Sequence, residues 1–257
     1  MLLHIGVVRL DVDGHKVSPW HRLVPRTRVL CAGLVVFAIA LTPNGRWLTW
    51  AVYAVALLSL VLLSRVTLPV LLRRLAVEML FLGVVVLGAL FRPGEDVLWQ
   101  WGWLRVTSEG LMVLGSVALK GMLSLLMLNL LVITTSVPAL LQALRELRMP
   151  ALLVAILASM SRYIGVLLEE VTAMQRAAQS RNLMSHRRWQ RLVIGNMIGA
   201  LFLRTYDRGD RIHRAMLSRG YTGLIPVPNL PIPTRLDVVA LTLMAVLLLL
   251  GQAIYLV

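Results

Sequence analysis

Residues 150–182 read "PALLVAILASMSRYIGVLLEEVTAMQRAAQSRN". Within them Leu153, Leu157, Met160, Ile164, Leu167, Val171, Met174 and Ala178 recur at alternating steps of four and three. That is a heptad seam, and it predicts one long amphipathic helix from about Pro150 to Arg181. Pro150 suits a first helical turn, where a missing N–H costs nothing. A helix of this length extends roughly 45–50 Å at the usual rise per residue.

The surroundings place this helix outside the lipid. Between Pro138 and Gly220 thirteen arginines face only five acids, Glu146, Glu169, Glu170, Asp207 and Asp210. Each central charge costs about 2.5–3.5 kcal/mol on the membrane-insertion scale, so the whole stretch is expected in the cytosol. A second long helix is expected from Arg187 to Arg219, with Asp207→Arg211 and Asp210→Arg214 paired one turn apart on a solvated face. A short helix, Pro138–Arg148, precedes both.

Beyond this stretch the chain is apolar. Of 257 residues 58% are hydrophobic and 15% charged, well beyond the usual apolar share of a soluble domain. Membrane spans are expected at Val29–Leu41 (extending back toward Leu23), Trp47–Leu63, Leu75–Phe91, Gly110–Val137 and Val238–Val257. The fold class is therefore an all-α integral membrane protein. It has about five transmembrane helices, and long cytosolic amphipathic helices lie between the fourth and last spans. Its parts are an N-terminal arm with four spans (1–137), the helical cytosolic region (138–223), and a connector with the last span (224–257). Pro226, Pro228, Pro231 and Pro233 make that connector extended.

Charge sets the orientation. Arg22, Arg26 and Arg28 precede the first span, and Arg65, Arg73 and Arg74 lie between the second and third. The stretch after the third holds Glu95, Asp96 and Glu109 against Arg92 and Arg105. The N-terminus is thus expected inside, and Trp99, Trp101 and Trp103 at the outer interface. The same rule accounts for the formal net charge of +14 without nucleic acid, for which no binding motif is present. The lone Cys31 excludes a disulfide framework. The N-terminus is too short in its apolar part to be a cleaved leader.

The helix quoted above ends on a motif that recurs. "AAQSRN" (177–182) and "AMLSRG" (215–220) both follow Ala-x-x-Ser-Arg with a residue that tolerates positive φ. Ala177 and Arg181, like Ala215 and Arg219, share one helix face. Ser180 and Ser218 precede the arginines; Asn182 and Gly220 suit the left-handed position after a helix end. A helix dipole favours an arginine there, which explains either copy alone. Two copies on two cytosolic helices point to two related partner grooves, each offering carboxylates or carbonyls to a guanidinium.

"TTSVPALLQALRELRMP" (134–150), "RYIGVLLEE" (162–170), the two arginine motifs and "HRAMLSRGYTG" (213–223) together resemble the transmembrane T component of energy-coupling factor (ECF) transporters. The likeness is greatest to the cobalt/nickel group and runs over about residues 20–250. It implies a non-catalytic subunit of a bacterial inner-membrane importer, multi-pass, with no cofactor or metal of its own. Arg181 and Arg219, with Ala177, Ser180, Asn182, Ala215, Ser218 and Gly220, would dock two ABC-type ATPases, different or a homodimer. The seam Leu153–Met174 and the spans would hold a small substrate-binding membrane subunit. ATP-driven closure would draw the tips together and reorient that subunit. Asn182 departs from the glycine commoner in the family, so the first tip is expected to differ slightly.

An intramembrane enzyme needs convergent polar groups, and the spans offer only Glu78, Lys120, Asn129, Thr134, Thr135 and Gln252, with no hydrolase or Walker A pattern. A metal-conducting subunit is disfavoured because His4, His15, His21, His186 and His213 are scattered outside the spans. A T component serving a vitamin-type substrate, or a helical scaffold with no transport role, stays open.

Overall fold

The computed structural model describes residues 18–90, 97–101, 104–183, 187–223 and 234–256. In order these form α1 (Pro25–Leu41), α2 (Trp47–Ser64), α3 (Leu68–Leu90), β1 (Val97–Trp101), β2 (Leu104–Thr107), α4 (Ser108–Thr134), α5 (Val137–Glu146), α6 (Ala151–Ser180), α7 (Arg187–Ser218) and α8 (Arg235–Leu256). The all-α membrane class holds, with one exception. The tryptophan-rich stretch forms an antiparallel hairpin in which Trp99 lies opposite Val106 and Trp101 opposite Leu104. Trp and Val favour such pairing, a signal set aside in reading the tryptophans only as interface anchors. Trp103, residues 1–17 of the N-terminal arm and residues 224–233 of the proline-rich connector lie outside the described residues.

Two boundaries move. The expected third span gains about two turns at its start. Thr67 accepts the Val70 and Leu71 N–H groups, and Pro69 fits the first turn, so Arg73 and Arg74 are helical. The expected fourth span breaks after Thr134, and α5 restarts at Val137 with Ser136 accepting the Leu140 N–H.

Among the described residues α2, α4, α6 and α8 are long and apolar enough to cross a membrane. This differs from the expected set of five. α1 is short, at 17 residues, and α3 carries Arg73, Arg74 and Glu78. α6 enters the set because its first 18 residues contain only one charge, Arg162, whereas Glu169, Glu170 and Arg176 follow.

The described residues divide into two compact units, one within 18–143 together with 234–256, the other within 144–223. In the first, α4 packs against α1, α2 and α3, and α8 against α1 and α2. Ile39, Tyr53, Leu57, Met127, Leu130 and Ile133 fill its centre. Phe37, Leu62, Leu80 and Leu249 point outward, an apolar exterior that matches a lipid solvent. Glycines admit close approaches: a Cβ on Gly121 would lie 2.5 Å from Leu82, and one on Gly251 2.6 Å from the Tyr53 ring.

A buried polar knot closes one end of this unit. Arg28 donates to the carbonyls of Thr134 (3.0 Å), Leu23 (3.1 Å) and His21. The Trp20 indole donates to the Thr134 hydroxyl at 3.0 Å. Asp237 accepts the Thr234 N–H at 2.7 Å, as in a capping box, and the Val24 N–H at 2.8 Å. The starts of α1 and α8 and the end of α4 therefore meet.

In the second unit Glu170 of α6 receives Arg204 at 3.2 Å and Arg208 at 3.5 Å from α7. Arg214 pairs with Asp210 as expected; no Asp207–Arg211 pair occurs among the described residues. Sequence spacing along one helix could not reveal the cross-helix role of Glu170.

Candidate functional site: two arginine-bearing helix ends

The two motifs fold into the same turn. At the end of α6 the Asn182 N–H donates to Gln179 O at 2.9 Å and the Leu183 N–H to Ala178 O at 3.0 Å. At the end of α7 the Gly220 N–H donates to Leu217 O and the Tyr221 N–H to Met216 O, both at 3.0 Å. Each is a Schellman end, whose paired bonds satisfy carbonyls that a helix terminus otherwise leaves open. The turn needs a left-handed residue, and Asn182 (φ 55°) and Gly220 (φ 80°) occupy that position. Asn182 therefore does adopt the conformation expected of it.

The serines have a role that spacing alone did not show. Ser180 Oγ donates to Ala177 O at 2.9 Å, and Ser218 Oγ to Ala215 O at 3.0 Å. Each hydroxyl bonds back three residues, so the Ala-x-x-Ser interval links a hydroxyl to the carbonyl one turn earlier. Ala177, Ser180, Arg181, Asn182, Ala215, Ser218, Arg219 and Gly220 are all exposed. Neither Arg181 nor Arg219 has an ion-pair partner among the described residues. Each tip thus presents a free guanidinium beside a small alanine, on a turn fixed by its own hydrogen bonds.

The seam divides. Leu153, Leu157, Met160 and Ile164 are exposed, Leu167, Val171 and Met174 half-buried, and Ala178 buried. In the first half of α6 the buried side chains are Val154 and Ala155, one to two positions off the seam. The exposed half borders a groove of about 530 Å³, walled by Ile156, Met160 and Ile164 from α6 and by His213, Met216 and Tyr221 at the end of α7.

The polar groups within the spans do not converge. Glu78 accepts from Asn129 Nδ2 at 2.6 Å, Lys120 lies 5.6 Å from the centroid of the Trp50 ring, and Gln252 reaches Ala38 O, Thr42 and Tyr53. Thr134 belongs to the polar knot. These are separate interhelical ties rather than one convergent site, and the buried Thr135 hydroxyl and Trp50 indole N–H have no hydrogen-bond partner among the described residues.

A family model described as "cobalt transport protein" (CbiQ) matches residues 16–229, which include both helix ends. The chain belongs to the CbiQ family. It is 28% identical over 215 residues to the energy-coupling factor transporter transmembrane protein EcfT of Lacticaseibacillus paracasei, covering 79% of this chain and 81% of that protein. Against EcfT of Thermanaerovibrio acidaminovorans the identity is 33% over 219 residues, 80% of each chain. EcfT of Listeria innocua matches at 29% over 215 residues, 79% of this chain and 80% of the relative. The resemblance drawn from the motifs is thereby shown at the level of the family. As a CbiQ-family member with these transporter relatives, the chain is a membrane protein of the ECF type.

Proposed function

We propose that the chain is the coupling subunit of an ECF-type importer, which converts closure of two partner ATPases into movement of a substrate-binding membrane subunit. The observation that carries this is the pair of matching helix ends, each with an exposed, unpaired arginine. A guanidinium on a pre-formed turn loses little entropy on docking and can bond a carboxylate or carbonyl in two-pronged fashion. The alanine one turn earlier allows close approach of a groove wall. ATP hydrolysis belongs to the partners, since no phosphate-binding motif occurs in this sequence.

The exposed half of the α6 seam and the groove beside it are the surface on which the substrate-binding subunit rests. The family description, a cobalt transport protein, supports cobalt as substrate, and the motif resemblance to the cobalt/nickel group adds nickel as the second candidate. Selection of the ion falls to the partner; among the described residues no three of His, Cys, Asp and Glu come together. The arginine balance of the loops favours a cytoplasmic N-terminus in the bacterial inner membrane.

The test is co-purification of the full-length chain with its ATPases, together with Co²⁺ uptake. Arg219→Glu and Arg181→Glu should each weaken ATPase retention by the roughly 2–5 kcal/mol of a severed buried charge pair. Wild-type retention and uptake in both variants would refute the docking role.

A further inference from the structure

Only one of the two helix ends shares residues with the groove. The Tyr221 N–H and the Met216 carbonyl close the α7 turn at 3.0 Å. The same two residues wall the groove, facing Ile156, Met160 and Ile164 of α6. At the end of α6 the matching residues are Leu183 and Ala178. Neither lines the groove, and Ala178 has no side chain beyond Cβ to carry a displacement.

The α7 tip is also built to move. Glu170 holds α7 at Arg204 and Arg208, and no later ion pair between α6 and α7 occurs among the described residues. From Arg208 to Arg219 the helix continues about 16 Å at the usual rise per residue. A pull on Arg219 acts at the far end of that lever, two residues from Tyr221 across the turn at Gly220. The turn's two hydrogen bonds make the last helical turn and Tyr221 move as one piece. Tyr221 supplies a large flat ring with few rotatable bonds, so a shift of its backbone becomes a shift of the groove wall.

We propose that Tyr221 is the positioning residue through which the α7 tip reshapes the α6–α7 groove, while the α6 tip anchors its ATPase without such a link. This rests on the docking reading of Arg219 given above. It makes the two tips unequal in a defined way: both hold an ATPase, and one transmits.

The experiment uses the full complex of chain, ATPases and substrate-binding subunit, with an environment-sensitive fluorophore on Ile164→Cys in a Cys31→Ser background. Adding ATP should shift the emission. Tyr221→Ala should reduce that shift at least tenfold with the ATPases still held in a pull-down. Tyr221→Phe should restore it, and Leu183→Ala should leave it in place. A full shift in Tyr221→Ala, an equal loss in Leu183→Ala, or release of the ATPases by Tyr221→Ala would each overturn the proposal. Failure of the underlying docking reading looks different: Arg219→Glu would then retain its ATPases whatever Tyr221 does.

Discussion

Gly220 and Gly209 offer the same substitution with opposite expected sign. Gly220 stands at φ 80°, and a Cβ placed there meets nothing within 4 Å. Gly220→Ala therefore creates no clash, and its cost is that of a left-handed L-residue, roughly 1–2 kcal/mol. Gly209 lies inside α7 with equally open space around its Cβ. There alanine removes the backbone entropy that glycine loses in a helix and stabilises by roughly 0.5–1 kcal/mol. For Gly220→Ala the penalty corresponds to about a 5- to 30-fold smaller population of the closed turn. Two measurements read this: protection from hydrogen exchange of the Tyr221 amide, whose bond to Met216 closes the turn, and the affinity of the ATPases for the purified chain. Both should fall by the same factor in Gly220→Ala, and neither should fall in Gly209→Ala. If Gly220→Ala loses amide protection and still binds with wild-type affinity, the closed turn is not what the ATPases grip. If both substitutions act with one sign, the left-handed dihedral does not govern this helix end.

Two further predictions concern the membrane unit. Asp237→Ala strips the partner from the buried Val24 N–H and from the half-buried Thr234 N–H, and an orphaned buried donor costs about 1–3 kcal/mol. A marked drop in thermal midpoint in detergent is expected, with Asp237→Asn intermediate; an unchanged midpoint would remove the knot from any structural role. Gly251→Ala would set a Cβ 2.6 Å from the ring of Tyr53, which is 1% exposed and cannot yield freely. Overpacking of that kind costs about 1–3 kcal/mol. Gly33→Ala, with open space around it, is the matched control and should not lower the midpoint.

What the sequence disclosed followed from periodicity and local chemistry. The seam of Leu153 to Ala178 predicted α6 to within a residue at each end, and the left-handed positions at Asn182 and Gly220 followed from which residues tolerate positive φ. Both signals are local, so no tertiary information was needed. The hairpin escaped because two short strands carry little pattern beside much longer apolar runs. The polar knot escaped because Asp237 and Val24 lie 213 residues apart, and no spacing rule joins them. For the same reason the pairing of Glu170 was not legible within α6, since both its arginines come from α7.

The knot also bears on the proposed transmission of force from the tips. In sequence the second unit follows the end of α4 and precedes the start of α8. Both places are pinned: Thr134, the last residue of α4, by Arg28 and Trp20, and the start of α8 by the Thr234–Asp237 box that also holds Val24. A displacement entering through either connection therefore meets a buried, hydrogen-bonded end rather than a fraying one. Such networks resist distortion because any broken bond leaves a polar group without water to replace it. The compliant elements are then the bare half of α6 and the last turns of α7, where side chains are exposed and interhelical ties are few. In the proposed mechanism the movement then falls on the α6–α7 groove that Tyr221 lines. Loosening the knot should spread the motion and lower coupling without touching either arginine. Asp237→Ala, held below its new midpoint, should thus keep its ATPases and still lose part of the groove response to ATP. A full response would show that the pinned ends play no part in directing the movement.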